Sequence, residues 1–318
     1  MPGFTTHYIF GMKAYNDMPF TPLKHTIAKY RWLYQLGLQG PDMFFYNIPI
    51  LRHRDYRNVG SYMHEHKVNA FFECCLRRIG TIRSRQQQEE AISYLAGFMN
   101  HYIADSICHP YVYGRIGYPV DAPTSMHHGM HAHLENELDA ILLWKYKKKK
   151  PSEFNQTATI CLNGQEIQFI SHFLASCINE TYYPITYRNN FQVTPAMVHR
   201  SIWALRFGCR TLSDKNGKKK FGIAQVESIF VNHPVASAKM VTDSVTDYRS
   251  SCNLNHEAWG NPWDPTRVST ASFVDLFHET LDKCSRVYAL LNSAVTDNVP
   301  LDKQDLSPLL AELGNESY

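Results

Sequence analysis

Two runs of histidine and carboxylate carry the chemistry of this chain: His101-x3-Asp105-x3-His109, and one loop later His131-x3-Glu135. On a helix, residues four apart differ by only about 40° around the axis, so His101, Asp105 and His109 fall within roughly an 80° arc. Imidazole nitrogen and carboxylate oxygen converging from one face are donors that Zn2+ accepts. The spacing reads as the ligand frame of a multi-zinc hydrolase.

The direction in which these side chains point decides whether they can meet an ion or merely face solvent. With His101 set at zero, Tyr94, Phe98, Tyr102 and Leu95 lie between about 20° and 120°, the side on which Asp105 lies at about 40°. A buried carboxylate costs several kcal/mol unless it is paired or coordinated, and no Lys or Arg lies within one turn of Asp105. A metal ion is the simplest compensation, and a structural His–Asp hydrogen bond is the alternative. The second run allows two registers, because His133-x3-Glu137 repeats the spacing of His131-x3-Glu135. Leu134, Leu138, Ile141 and Leu142 side with His131 and Glu135, so His133 and Glu137 are expected to point away. Asp139 borders the inward face and is expected either to support a ligand histidine or to lie at the surface. In SYMHEHKVNAFFECC, His64 shares a face with Val68, Phe71, Cys75 and Ile79, whereas His66 does not. His127 and His128 read as helix-start polarity. His25, His53, His172, His199, His233, His256 and His278 have no partner at ligand spacing and read as surface or hydrogen-bonded residues.

The elements that must position these groups are helical. Apolar periodicity places helices near residues 23–38, 61–79, 86–109, 126–148, 165–182, 196–213, 234–249 and 270–294, separated mostly by Gly, Pro, Asn or Asp. Pro110 is expected to end the central helix at His109. The only strand signal is Thr157–Leu162 and Gln165–Phe169 around Asn163-Gly164, which reads as a short hairpin or as an extended lead into the next helix. Residues 253–265, rich in turn formers and tryptophan, read as an aromatic loop that completes the core or folds over the site. Phe44, Phe45 and Tyr46 read as core or as an aromatic wall beside Asp42.

The chain has 318 residues and a formal net charge of +3, which suffices for a large core and argues against nucleic acid as a stable partner. Lys145 and Lys147 to Lys150 read as the solvated, dipole-complementing end of a helix. Eight cysteines lack any C-x-x-C pair and read as reduced thiols. The amino terminus does not read as a secretory leader, and no window reaches membrane-span length, so a cytoplasmic location is expected. Pro151 is the expected boundary between a metal-binding helical core, residues 1–150, and a helical remainder, residues 151–318, packed on it as one continuous domain.

The order of these motifs resembles the zinc-dependent phospholipase C family, that of the bacterial phosphatidylcholine-hydrolysing enzymes and the α-toxin catalytic domains, distantly related to S1/P1 nucleases. His7 in FTTHYIFG looks like the family's early histidine, Asp42 in GPDMFFY like its loop aspartate, and His64 in GSYMHEH like its lone helix histidine. His101 and Asp105 in NHYIAD match its central pair, His109 in CHPYV the histidine that follows, and His131 with Glu135 in HAHLE the last pair. The resemblance implies a mainly α-helical bundle of phospholipase C/P1 nuclease type holding two or three zinc ions. It implies one ion held by Asp42, His64, His101 and Asp105, a second by His109, His131 and Glu135, and a third by His7 with a bridging Asp105. It further implies a phosphate-ester substrate, phospholipid among the candidates, attacked by a metal-bound hydroxide with Asp42 as general base. The alternatives are an S1/P1-like nuclease or phosphomonoesterase, and a non-catalytic scaffold stabilised by zinc.

Overall fold

In a computed structural model, the chain is described over residues 3–46, 59–188, 192–211, 213–214, 217–230, 237, 240–243, 245 and 247–316. It is mainly helical, as its periodicity predicts. Two compact units divide it: one comprises Met1–Phe10, Ala104–Gln156 and Cys209–Leu281, the other Gly11–Ile103, Thr157–Gly208 and Asp282–Tyr318.

In the second of these units, the segment read as one helix over 23–38 is two, Pro22–Lys29 and Arg31–Gly37, broken at Tyr30. Thr21 caps the first, its Oγ1 accepting the Lys24 N–H at 3.2 Å, with Pro22 where a missing N–H costs nothing. The Arg31–Gly37 helix then meets the Arg85–Arg115 helix backbone to backbone. A Cβ on Gly37 would lie 2.1 Å from the Tyr94 carbonyl oxygen, and one on Gly97 would lie 2.1 Å from that of Tyr34. Only paired glycines allow this approach, one turn before His101. Phe71 and Phe72, on the Val68–Thr81 helix, pack edge-on or tilted against Phe98 at 5.3 and 5.4 Å.

The first unit is built around Phe10, Tyr111, Leu138, Leu142, Trp259, Phe273 and Phe277. The long helix does not stop at His109 but continues to Arg115 with Pro110 inside it. A proline there removes one backbone bond and costs about 3 kcal/mol. Tyr111 and Val112, both fully buried in this core, return more than that when they are held in helical register. The helix Ser125–Lys147 follows, started by Thr124, whose N–H donates to His127 Nδ1 at 3.2 Å, and ended by an exposed lysine run.

Three further expectations are corrected. Of the two readings of Asn163-Gly164, the hairpin turn fails and the lead into the next helix is the one observed: Asn163 Oδ1 accepts the Glu166 N–H, and Glu166 accepts that of Asn163, so the pair opens the helix Gly164–Arg188. Within 234–249, Val241–Thr242 is a strand and Tyr248 begins a short helix, so a single helix does not span the segment. Residues 253–265 hold the first strand and the start of the second in an antiparallel pair, Trp259–Asn261 with Asp264–Ser269, which loop chemistry alone concealed. The helices Phe4–Asp17, Lys218–Phe230 and Ser307–Leu313 were not anticipated.

Gly97→Ala tests the glycine crossing. Alanine favours a helix over glycine by about 1 kcal/mol, yet the forced separation of the two backbones should outweigh this and leave a net loss of about 1–3 kcal/mol. The check is the urea midpoint at constant slope; an unchanged or raised midpoint would show that the crossing has room.

Candidate metal centre

In the second unit, the 3-10 turn Gly40–Tyr46 presents Asp42, the Val59–Glu65 helix presents His64, and the long helix presents His101. His64 Nδ1 lies 2.7 Å from the Gly60 carbonyl and His101 Nδ1 lies 3.1 Å from that of Leu38. A carbonyl only accepts, so both Nδ1 atoms carry the proton, and in the neutral rings both Nε2 atoms present lone pairs. These lone pairs face each other at 3.5 Å, and they face Asp42 Oδ1 at 3.2 Å from His64 and 3.8 Å from His101. Gly40, at φ +46°, brings the turn against the imidazole: a Cβ there would sit 2.2 Å from the His101 ring. Phe45 stacks on the outer face of His64 at 5.7 Å, while Phe44 is core.

Three acceptors pointed at one another repel unless something positive lies between them. One shared proton serves two of the three; a divalent cation serves all three. Zinc donors stand about 2.0–2.2 Å from the ion in tetrahedral array, which puts neighbouring donors roughly 3.4 Å apart, close to the spacings observed. The residues present therefore fit a zinc ion.

The first unit gathers the remaining candidates. His7, fully buried on the Phe4–Asp17 helix, sets Nε2 3.3 Å from Asp105 Oδ1, and His109 Nε2 approaches the same oxygen at 3.6 Å. His131 Nε2 lies 2.6 Å from Glu135 Oε1, a hydrogen-bond distance shorter than the spacing of two donors on one ion. Burial pushes the His131 imidazole down toward its neutral form. Burial alone would raise Glu135, but the neighbouring His131 reverses this and leaves the carboxyl below its ordinary range. Neutral imidazole and ionised carboxylate are the ligand forms. The rings of His109 and His131 lie 6.4 Å apart.

Two acidic residues lie otherwise than helix-face geometry suggests. Glu137, expected to point outward with His133, is buried and accepts the Ser251 hydroxyl, because the second half of its helix is enclosed on more than one side; His133 is exposed. Asp139 is buried too. It accepts the backbone N–H groups of Thr5 at 3.1 Å and Thr6 at 2.8 Å, holding the amino-terminal turn of the helix that carries His7. Its carboxyl is pushed up to about 6 by burial, against the opposing pull of those donors.

Sequence reasoning missed Tyr113. Its ring lies 4.4 Å from His131 and 5.5 Å from His109, with Trp263 behind it at 4.9 Å. The signal was present, since Tyr113 stands four residues after His109, but ending the helix at Pro110 hid it. Trp259 completes the core, its indole N–H donating to the Ala271 carbonyl at 2.9 Å. His25, His128, His172, His199, His256 and His278 are exposed, and His53 and His233 lie outside the described residues. All eight cysteines are free of disulfides, and no described helix is long and apolar enough to cross a membrane.

The sequence model of one family, described as zinc dependent phospholipase C, matches residues 6–186. That is more than half of the chain, and the protein belongs to this family. No curated protein and no solved structure matches it significantly.

The burial of Asp139 sets a pH dependence. A carboxyl raised from 3.8 to about 6 on folding favours the folded state most below pH 4, and this contribution disappears as pH rises through 6. Relative to Asp139→Asn, the wild type should therefore gain stability on the order of 2–3 kcal/mol between pH 7 and pH 4. Paired urea titrations in chelator read the difference; a pH-independent gap would place the carboxylate in solvent.

Proposed function

We propose that this protein is a zinc-dependent phosphodiester hydrolase of phospholipase C type. The observation that carries the reading is the triangle of Asp42 Oδ1, His64 Nε2 and His101 Nε2, three acceptors aimed at one point. Asp42, His64 and His101 would hold one zinc, His109, His131 and Glu135 a second, and His7 with Asp105 a third. Zinc bound there supplies a Lewis acid that makes water more acidic and offsets the charge growing on phosphoryl oxygens.

The chain's own groups divide the remaining work. Leu38 and Gly60 carbonyls fix the two imidazole tautomers, so neither ring can rotate its lone pair away from the site. Asp42, with Oδ1 turned to the point that the two imidazoles share, offers its other oxygen to the proton of the attacking water. As the new phosphorus–oxygen bond forms, the bond to the alcohol breaks, and the departing alkoxide oxygen takes a proton from solvent water, equivalent to the one that Asp42 accepted. Tyr113 backs His131 and His109 with an aromatic wall that limits their movement and excludes water from one side.

The pairing of Tyr113 with Trp263 also supports a second reading, an S1/P1-like nuclease, since aromatic faces accept nucleobases. One experiment separates the readings. Purified protein is assayed for metal by elemental analysis, then for hydrolysis of a short-chain phosphatidylcholine and of a dinucleotide, with and without chelator. The expected result is zinc content and chelator-sensitive cleavage of the phospholipid. His101→Ala and Glu135→Ala should lose metal and reduce turnover by more than about a hundredfold, since even residues behind a ligand cost about 10–100-fold. Cleavage of the dinucleotide alone would favour the nuclease. Metal without turnover on either substrate would favour a zinc-stabilised scaffold, and full activity in those variants would refute the assignment.

A further inference from the structure

The helix Pro195–Thr211 has one buried face and one with an unusual composition. Val198, Ile202, Leu205 and Cys209 are buried, and Gly208 lets the helix close on Tyr46, the last residue of the turn that carries Asp42: a Cβ there would meet that ring at 2.5 Å. On the opposite side, Ala196, His199, Arg200, Trp203, Arg206, Phe207 and Arg210 recur at spacings of three and four, forming one stripe. Trp203 is 62% and Phe207 54% exposed, and their rings stack at 5.4 Å and 11°. The helix contains no acidic residue, and none of Arg200, Arg206 and Arg210 pairs with a carboxylate among the described residues.

Two stacked aromatic rings more than half exposed, beside arginines that meet no carboxylate among the described residues, are costly unless the face is used. We infer that this face docks the protein on an anionic phospholipid surface, with Trp203 and Phe207 entering the headgroup boundary and the three arginines meeting lipid phosphates and carboxylates. The composition matches the two requirements of an interfacial helix: apolar rings that displace water at headgroup depth, and cations attracted to a negative surface. Charge also excludes a second copy of the same chain, since a two-fold contact through this stripe would set arginine against arginine. Nucleic acid fits less well, because the two rings cover each other's faces instead of presenting them to bases. The inference stands apart from the hydrolytic reading, and its test involves no turnover.

Full-length protein in chelator is mixed with vesicles of phosphatidylcholine alone, or of phosphatidylcholine with one-third phosphatidylserine, and separated by flotation. The protein should float with the anionic vesicles, weakly or not at all with the neutral ones, and should dissociate as salt is raised. Trp203→Ala with Phe207→Ala should weaken binding at least about tenfold, and each Arg→Gln at 200, 206 or 210 by about fivefold. Circular dichroism and unfolding midpoints check that the substitutions, at exposed positions apart from the half-buried Arg206, leave the fold intact. A milder variant, Trp203→Phe, should still bind while losing the part of the tryptophan fluorescence that brominated lipids quench. Absence of flotation by the wild type, equal flotation by the Trp203/Phe207 double variant, or retention of a single-stranded oligonucleotide in place of vesicles would overturn the inference.

Discussion

The candidate centre rests on the electrostatic problem of pointing lone pairs at one another inside protein. Backbone carbonyls of Gly60 and Leu38 dictate which nitrogen of His64 and of His101 carries the proton, and that fixes the other nitrogen as an acceptor. Asp42 adds a charge of the same sign at the same point. Such an arrangement is expensive in an empty fold and favourable around a cation, so the folding of this region and its metal affinity are coupled. The backbone crossing of Gly37 with Gly97 and the approach of Gly40 to the His101 ring serve the same end, since they bring the turn, the Arg31–Gly37 helix and the long helix close together.

Much of this was legible in the sequence, because the strongest signals were local. His101, Asp105 and His109 at four-residue spacing lie on a real helix, and the choice of His64 over His66 and of His131 over His133 followed from asking which residue shares a face with apolar neighbours. The order of motifs added what spacing alone could not: it linked His7 and Asp42, which have no neighbour at ligand spacing, to the same family pattern.

What was not legible depended on contacts distant in sequence. Pro110 is a local stop signal that loses to the burial of Tyr111 and Val112, and with it went the view of Tyr113. Asn163-Gly164 carries the same residues as a hairpin turn and as a helix start; only the reciprocal bonds with Glu166 decide between them. Glu137 was placed by a single-face rule that fails once a helix is enclosed on several sides. Asp139 lay on the margin of the inward face, and its partners, the first turn of a helix more than a hundred residues earlier, had no signature near it.

The position of Trp263 has an evolutionary consequence. Among the described residues, the candidate metal-holding groups fall inside residues 6–186, the stretch matched to the family, whereas the indole behind Tyr113 arrives on a hairpin about eighty residues downstream. Descendants of this chain can thus remodel that hairpin, lengthening its tip or exchanging its tryptophan, without altering any imidazole or carboxylate. Changes there would reshape the aromatic wall beside His109 and His131 and leave the histidine and carboxylate positions themselves untouched.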